Sequence, residues 1–270
     1  MRRPGLVASD VDGTLLDPLE RVSARTARTV QRVVASGTPF VLVTGRPPRW
    51  VPTVVAGLGV AGVVVCANGA VLYDAAADRV LHSHVIEALD LHDVVRELRH
   101  ELPGCAFAVE RATDGAHDRP HEQFLAESAF RRVWPGSGVR GAGVDELTGR
   151  PAIKLLVLHE HLTSAELAEA AGAVVGDRMQ LTYSTSAGLV ELSATGVDKA
   201  TGLAAVAAEL GVDQADVIAF GDMPNDAPML SWAGHGVAMR NAHPAALAVA
   251  DEVTASNAED GVAELLARWW

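Results

Sequence analysis

Short apolar runs alternate along the chain with stretches in which apolar residues recur at helical spacing. Such runs are typical of buried strands, and the stretches between them are typical of amphipathic helices. A regular alternation of strand and helix predicts a parallel sheet, and polar residues that follow its strands should gather at its carboxyl edge. The polar strand ends are Asp10-Val11-Asp12-Gly13-Thr14 after residues 6–9, Thr44-Gly45-Arg46 after 39–43, Ala67-Asn68-Gly69 after 62–66, and Gly221-Asp222-Met223-Pro224-Asn225-Asp226 after 217–220.

The alternation is interrupted between residue 71 and about residue 198, where strand and helix patterns follow one another without regular order. We therefore predict an α/β protein with a Rossmann-like parallel-sheet core formed by residues 1–84 and 190–270, and an α+β domain inserted at residues 85–189. In the interrupted part, the pattern predicts a hairpin over 71–81, helices over 86–102, 121–133 and 164–175, strands over 105–109, 153–158, 179–184 and 189–192, and a loop over 135–151.

One glycine-rich stretch, Gly57-Leu58-Gly59-Val60-Ala61-Gly62, matches the G-x-G-x-x-G pattern of dinucleotide-binding proteins. That pattern binds a dinucleotide where it follows a strand and opens a helix, because the helix N-terminus then faces the pyrophosphate. Here the stretch follows a helical pattern and precedes a strand. We predict a turn between helix and strand instead.

The composition limits the classes of partner. A formal net charge of -12, with acidic and basic residues dispersed, disfavours nucleic acid or an anionic membrane surface as the main partner. The apolar runs are too short to span a bilayer and no secretory segment is expected, so we expect a cytoplasmic protein. Cys66 and Cys105 lie in apolar, strand-like settings, which favours reduced thiols over a disulfide.

The strand ends together bring several carboxylates to one edge of the sheet. Because side chains alternate along a strand, we expect Asp10 and Asp12 to project toward the same side. Carboxylates that converge repel one another unless a hard cation lies among them, and oxygen ligands of this kind suit Mg²⁺. Phosphoryl transfer needs a nucleophile, a cation, hydrogen-bond donors and an acid for the leaving group. The strand-end residues offer all of these, although this reasoning does not choose between Asp10 and Asp12 as the nucleophile.

These motifs resemble those of the haloacid dehalogenase-like phosphatases, and specifically the Cof-type sugar-phosphatase branch with a large α/β cap. Residues 10–14 look like the family's first motif, Thr44-Gly45-Arg46 like its second, Lys199 like its third, and residues 221–226 like its fourth. The stretches 68–70, 236–242 and 257–262 are also similar, so the resemblance covers nearly the whole chain outside the cap. Ala200 departs from the glycine that often follows the motif lysine.

The resemblance implies a role for each matching residue. It makes Asp10 the nucleophile and a metal ligand, and Asp12 the general acid and base that also offers its backbone carbonyl to the metal. Thr44 and Lys199 hold the phosphoryl oxygens, while Asn225 and Asp226 support the metal and its waters. The implied catalytic residues are Asp10, Asp12, Thr44 and Lys199; the substrate-binding residues are Gly45, Arg46, Asn68, Gly69 and Asn225; the Mg²⁺ ligands are Asp10, Asp12, Asp222 and Asp226.

The expected activity is Mg²⁺-dependent hydrolysis of a small phosphorylated metabolite, such as a sugar phosphate, through an aspartyl-phosphate. A phosphotransferase or phosphomutase on the same scaffold is the close alternative, because an aspartyl-phosphate can be passed to a sugar hydroxyl. A non-catalytic phospho-acceptor is a third hypothesis, but such a protein has no use for an inserted domain or for an acid spaced like Asp12. We expect a monomer or a weak homodimer, with the terminal Trp269-Trp270 pair packed on the core or on a second copy.

Overall fold

The structure is a computed structural model, which describes residues 2–133 and 140–270. The described chain forms two compact units, one consisting of Met1–Leu81 with Asp198–Trp270 and the other of His82–Val197. Within the described ranges, no helix combines the length and the apolar character needed to cross a membrane.

The helices and strands follow one another in the order that the sequence pattern predicts for most of the chain. In the described ranges the strands are β1 (Leu6–Ser9), β2 (Phe40–Val43), β3 (Val63–Cys66), β4 (Val71–Asp74), β5 (Arg79–Ser83), β6 (Ala106–Glu110), β7 (Phe124–Ala126), β8 (Arg140–Gly141), β9 (Lys154–Leu158), β10 (Met179–Thr182), β11 (Leu189–Ala194), β12 (Val217–Gly221), β13 (His235–Met239) and β14 (Glu252–Thr254). The helices are α1 (Ala24–Ala35), α2 (Val51–Leu58), α3 (Ala88–Glu101), α4 (Pro120–Gln123), α5 (Ser128–Val133), α6 (Val144–Thr148), α7 (Ser164–Val175), α8 (Lys199–Glu209), α9 (Ala227–Trp232), α10 (Pro244–Leu247) and α11 (Gly261–Leu266). Short 3₁₀ turns cover Pro48–Trp50, Ala67–Gly69, Gln214–Asp216, Pro224–Asp226 and Asn257–Glu259.

The first unit contains a sheet with the strand order β14-β13-β12-β1-β2-β3-β4-β5. The strands from β14 to β3 pair in parallel, and β4 runs antiparallel to β3. The predicted parallel-sheet core is therefore confirmed. Ser9 lies opposite Phe220 on β12 and opposite Leu42 on β2, so the residues that follow these three strands emerge at the same edge.

Helix α8 covers one face of this sheet because its apolar side chains meet those of the central strands. Leu203 and Val206 are buried in one cluster with Leu6 on β1 and Val65 on β3. Gly202 permits a close approach, since a Cβ at that position would lie 2.5 Å from a methyl carbon of Val65. Close packing of this kind fixes the distance between α8 and the sheet.

The start of α8 is set by a capping box. Asp198 accepts a hydrogen bond of 2.8 Å from the backbone N–H of Thr201, and the Thr201 hydroxyl accepts one of 3.0 Å from the backbone N–H of Asp198. These bonds satisfy amide groups that a helix N-terminus leaves unpaired. The helix therefore begins at Lys199, whose side chain is completely buried.

The second unit contains the sheet β10-β11-β9-β6-β7-β8, in which the strands pair antiparallel except β7 with β8. One face of this sheet packs against helices α3 and α7. Phe107, Val157 and Val190 on the strands share a buried cluster with Leu91 on α3 and Leu167 on α7. Strands and helices are thus combined in this unit in the α+β manner that its irregular pattern indicates.

Two predictions in the second unit are wrong. The helix predicted over 121–133 is interrupted by β7, because Phe124, Leu125 and Ala126 pair with β6 and this tertiary pairing overrides a weak helical pattern. The loop predicted over 135–151 contains β8 and α6, while its residues 135–139 lie outside the described ranges. The turn predicted at Gly57–Gly62 is confirmed, since α2 ends at Leu58 with Gly59 in the left-handed conformation before β3.

The packing of α8 predicts opposite effects for two helical glycines. Gly202→Ala should destabilise the protein by about 1–3 kcal/mol, because the added Cβ meets Val65 and Gly69 on close approach. Gly172→Ala on α7 is the matched control, since nothing lies within 4 Å of its Cβ position. That variant should gain roughly 0.5–1 kcal/mol from the lower backbone entropy of the unfolded chain. Urea unfolding followed by circular dichroism measures both, and a Gly202→Ala protein as stable as the control would contradict the packing.

Candidate active site

A buried lysine lies between two buried carboxylates at the carboxyl edge of the parallel sheet. Lys199 Nζ donates hydrogen bonds to Oδ1 of Asp10, which follows β1, and to Oδ1 of Asp226, which lies in the turn after β12. The side chains of Lys199 and Asp226 are fully buried, and that of Asp10 nearly so. Although burial alone lowers the pKa of Lys199, the two carboxylates raise it above its ordinary value. The lysine is therefore charged at neutral pH.

Asp226 is held by the backbone on its other side. Its Oδ2 accepts hydrogen bonds of 2.9 Å and 2.8 Å from the backbone N–H groups of Asp222 and Met223. Both oxygens of Asp226 thus have donors within the protein. This carboxylate fixes the turn that carries Asp222 and orients Lys199 toward Asp10.

Asp222 contacts the turn that follows β1. The Thr14 hydroxyl donates a 2.7 Å hydrogen bond to Asp222 Oδ1. Gly13 has a φ of +76°, and a Cβ there would lie 2.3 Å from Asp222 Oδ2. Only glycine fits both the backbone conformation and the space, so the Asp-Gly-Thr motif and the carboxylate of Asp222 form one packed unit.

The site carries more negative than positive charge. Asp10, Asp222 and Asp226 each present a carboxylate oxygen, and these three oxygens lie within 4.8 Å of one another. Burial is the largest cause, and repulsion from Asp226 the second, of raised pKa values at two of these groups. The pKa of Asp10 lies well above its usual range, and the pKa of Asp222 is raised to about 7. Lys199 offsets only part of this charge. A bound cation would favour the ionised form of both groups.

The donor set fits a hard divalent cation. Its members are carboxylate oxygens, and the nearby Asn225 adds a buried Oδ1 that has no hydrogen-bond partner among the described residues. Buried polar atoms are rarely left without a partner unless an ion or water completes them. Oxygen ligands and retained waters are the coordination that Mg²⁺ prefers.

Asp12 lies next to this group but is not buried with it. Its carboxylate is half exposed and accepts hydrogen bonds from the Arg46 guanidinium, from Nε at 2.8 Å and from Nη2. The strand ends at Ser9 and the chain then turns, so the alternation of side chains along β1 does not govern Asp12. Strand alternation is therefore the wrong basis for placing Asp12, whose carboxylate pairs with Arg46 of the second motif.

The remaining predicted residues surround the same edge. Thr44 is buried after β2, and its Oγ1 accepts a 3.0 Å hydrogen bond from the backbone N–H of Arg46. Asn68 has a φ of 57°, which is uncommon for a residue other than glycine, and its Oδ1 accepts a 3.1 Å hydrogen bond from Asn225. Gly45 lies close to Asn68 in space, since a Cβ on Gly45 would be 3.1 Å from Asn68 Oδ1. Gly69, which follows Asn68 in sequence, packs on the start of α8, since a Cβ there would be 2.0 Å from the backbone oxygen of Asp198.

Three further residues bind the backbone or the carboxylate of the site, although the sequence did not indicate a role for them. Thr14 binds Asp222, as described above. Asn241 donates a 2.8 Å hydrogen bond to the Gly13 carbonyl, and Asn257 donates one of the same length to the Leu16 carbonyl. The hydroxyl of the Asp-Gly-Thr motif and the two asparagines in the later similar stretches are the available signals, but their partners depend on the fold.

Comparison with known proteins gives consistent matches along the whole chain. A family model described as haloacid dehalogenase-like hydrolase matches residues 7–266. The chain is 31% identical to an HMP-PP phosphatase from Serratia proteamaculans, covering 88% of this chain and 85% of that protein. It is 28% identical to a 5-amino-6-(5-phospho-D-ribitylamino)uracil phosphatase from Bacillus subtilis, covering 99% of this chain and 98% of that protein. A phosphatase structure from Bacteroides thetaiotaomicron has the same fold, with a TM-score of 0.81 at 24% identity, covering 98% of this chain and 95% of that one.

The raised pKa of Asp222 predicts a pH-dependent effect of Asp222→Asn in the metal-free protein. With a folded-state pKa of about 7 against an unfolded value of 3.8, the folded protein keeps a proton that the unfolded chain releases. The contribution of Asp222 to the stability of the wild type should therefore fall as pH rises from about 4 to 7. The variant lacks this loss, so its stability relative to the wild type should increase over that window, by on the order of 2–4 kcal/mol in total.

Urea unfolding at pH 4.5, 6 and 7.5 in the presence of a chelator measures this difference. Added Mg²⁺ should then stabilise the wild type more than the variant, because a cation that binds the folded state shifts the folding equilibrium. A difference between the two proteins that does not change with pH would contradict the assignment of a raised pKa to Asp222.

Proposed function

Because this chain belongs to the haloacid dehalogenase-like hydrolase family, we propose that it is a Mg²⁺-dependent phosphatase of small phosphorylated metabolites that uses Asp10 as its nucleophile. The observation that carries the proposal is the buried group formed by Asp10, Asp222, Asp226 and Lys199 at the carboxyl edge of the sheet. Such a group suits attack by a carboxylate oxygen on a phosphoryl group, with a cation and a lysine to balance the charge.

In the first step, a carboxylate oxygen of Asp10 forms a bond to phosphorus while the bond from phosphorus to the substrate oxygen breaks. Asp12 gives its proton to the departing alkoxide, and the alcohol leaves. Lys199 favours the ionised form of Asp10 and neutralises charge on the phosphoryl oxygens. A bound Mg²⁺ supplies further positive charge for the phosphoryl oxygens and the surrounding carboxylates.

In the second step, water attacks the phosphorus of the aspartyl-phosphate and Asp12 accepts a proton from that water. The bond between phosphorus and the Asp10 oxygen breaks, which releases inorganic phosphate and restores the carboxylate. Asp12 suits both steps because it is half exposed and lies on a turn next to Asp10. Hydrogen bonds from the Arg46 guanidinium orient the carboxyl group of Asp12.

The proposal gives the other residues supporting roles. Asp10, Asp222 and the backbone carbonyl of Asp12 would hold the Mg²⁺, and Asp226 and Asn225 would support it. Thr44 donates a hydrogen bond from its hydroxyl to a phosphoryl oxygen. The substrate-binding site is lined by Gly45, Arg46, Asn68 and Gly69. We propose that the second unit (His82–Val197), predicted from the sequence as residues 85–189, is the family's cap domain, and that the first unit, predicted as residues 1–84 and 190–270, is its catalytic core.

The names of the two curated relatives support a small phosphorylated metabolite as the substrate. One relative is named for HMP-PP and the other for a phosphorylated ribitylamino-uracil. The net charge of -12 also agrees with a substrate that is held by a local cation rather than by an extended basic surface.

Asp10→Asn should abolish phosphate release without unfolding the protein. The amide can still accept a hydrogen bond from Lys199, but it cannot attack phosphorus as a carboxylate does. Phosphate release is measured on a panel of sugar, nucleotide and cofactor phosphates, with Mg²⁺ and with a chelator, and circular dichroism checks the fold. The proposal predicts release that depends on Mg²⁺ and falls to the detection limit in the variant.

Full activity in Asp10→Asn would overturn the nucleophile, and full activity in the chelator would overturn the metal dependence. Phosphate transfer to an added sugar hydroxyl, with no release in its absence, would favour the phosphotransferase alternative. Asp12→Asn is a useful companion, since it should lose more activity on alkyl phosphates than on p-nitrophenyl phosphate, whose leaving group needs little protonation.

A further inference from the structure

The segment that follows β13 holds both halves of the candidate active site. Asn241 Nδ2 donates a 2.8 Å hydrogen bond to the backbone carbonyl of Gly13, in the turn after β1. Two residues later, the backbone N–H of His243 donates a 2.7 Å hydrogen bond to the carbonyl of Asp222, after β12. One short segment thus fixes the backbone at both acidic strand ends.

A second asparagine supports the first. The backbone N–H of Asn257 donates a 3.0 Å hydrogen bond to Asn241 Oδ1, and its side-chain Nδ2 donates a 2.8 Å hydrogen bond to the carbonyl of Leu16. A backbone N–H can only donate and a carbonyl can only accept, so these partners fix the orientation of the Asn241 amide. We call Asn241 and Asn257 together the asparagine clasp.

The clasp holds the turn from Val11 to Leu16 at two points. Within the turn, the backbone N–H groups of Leu15 and Leu16 both donate to the Val11 carbonyl, at 3.0 Å and 2.9 Å. The clasp binds the carbonyls of Gly13 and Leu16 from outside. Strand β1 has already ended at Ser9, so the ladder of the sheet does not fix this part of the backbone. Its position depends instead on hydrogen bonds from residues more than two hundred positions away.

The turn carries Asp12, which needs positioning more than its buried neighbours do. Asp10 and Asp226 are fixed by burial and by Lys199, whereas the Asp12 carboxylate is half exposed and is oriented by Arg46. Gly13, directly after it, gives the backbone unusual freedom. A displacement of about 1 Å in a reacting group can cost roughly 100-fold in rate.

We propose that Asn241, supported by Asn257, is a positioning residue that sets the place of Asp12 as the acid for the leaving group. The inference rests on the proposed phosphatase function, because Asp12 needs this precision only if it transfers a proton. Asn241 itself touches the backbone carbonyl of Gly13 and acts through the turn.

The test compares Asn241→Ala and Asn241→Asp with the control Arg240→Ala. The aspartate variant can still accept the hydrogen bond from Asn257 but cannot donate to Gly13, so it isolates the bond that matters. Arg240 is exposed and forms an ion pair of 3.2 Å with Glu259, so the control weakens a link between the same two segments without touching the turn.

The readout is kcat/KM for p-nitrophenyl phosphate and for the alkyl phosphate that the wild type hydrolyses fastest. This constant covers only the steps up to the aspartyl-phosphate, so hydrolysis of that intermediate does not hide a difference. Both Asn241 variants should lose roughly 10- to 100-fold on the alkyl phosphate. They should lose several-fold less on p-nitrophenyl phosphate, which needs little protonation as it leaves. Arg240→Ala should match the wild type on both substrates.

Amide hydrogen exchange of residues 11–16 provides a readout that does not depend on turnover. Exchange in this turn should be faster in both Asn241 variants than in Arg240→Ala. Equal losses on the two substrates, or exchange and rates like those of the control, would overturn the proposal. Failure of the wild type to release phosphate from any substrate would instead overturn the phosphatase function, and the two failures are therefore distinguishable.

Discussion

The candidate active site depends on one buried cation, the ammonium group of Lys199 between Asp10 and Asp226. Two ionised carboxylates in a buried site repel each other and lose hydration, and the lysine offsets both costs only while its geometry is maintained. That geometry has its origin in the start of helix α8, where the cap at Asp198 makes Lys199 the first helical residue. Close packing of α8 at Gly202 then fixes how near the lysine comes to the sheet edge.

A second constraint is space for the backbone. The Asp222 carboxylate lies where a side chain on Gly13 would be, and Thr14 binds the same carboxylate through its hydroxyl. The turn after β1 and the turn after β12 are therefore built against each other, although more than two hundred residues separate them in sequence. The first unit combines residues from both ends of the chain. Within it, β1 and β12 are neighbours in the parallel sheet and end at the same level, so the turns that follow them meet.

The site carries more negative charge than Lys199 neutralises. This excess charge links the stability of the protein to its function. Burial and mutual repulsion raise the pKa values of Asp10 and Asp222. At neutral pH these carboxylates therefore lower the stability of the metal-free protein. A cation bound among these carboxylates would offset that loss. A strained or uncompensated group is typical of functional sites, where the surrounding fold holds it in position.

The sequence by itself determined the parallel-sheet core and the set of residues at its carboxyl edge. Strands that alternate with helices run parallel, and the residues after them then share one edge, so the proximity of Asp10 and Asp222 follows from the order of elements. The individual roles proposed for the site residues rest on the resemblance to a family. The sequence pattern failed at residues 124–126, where pairing with β6 decided in favour of a strand. Only the tertiary structure decided that Asp12 pairs with Arg46, that Thr14 binds Asp222, and that Asn241 holds the Gly13 carbonyl. Those contacts join distant parts of the chain within about 3 Å, and they depend on strand register, turn geometry and side-chain orientation, which no local pattern encodes.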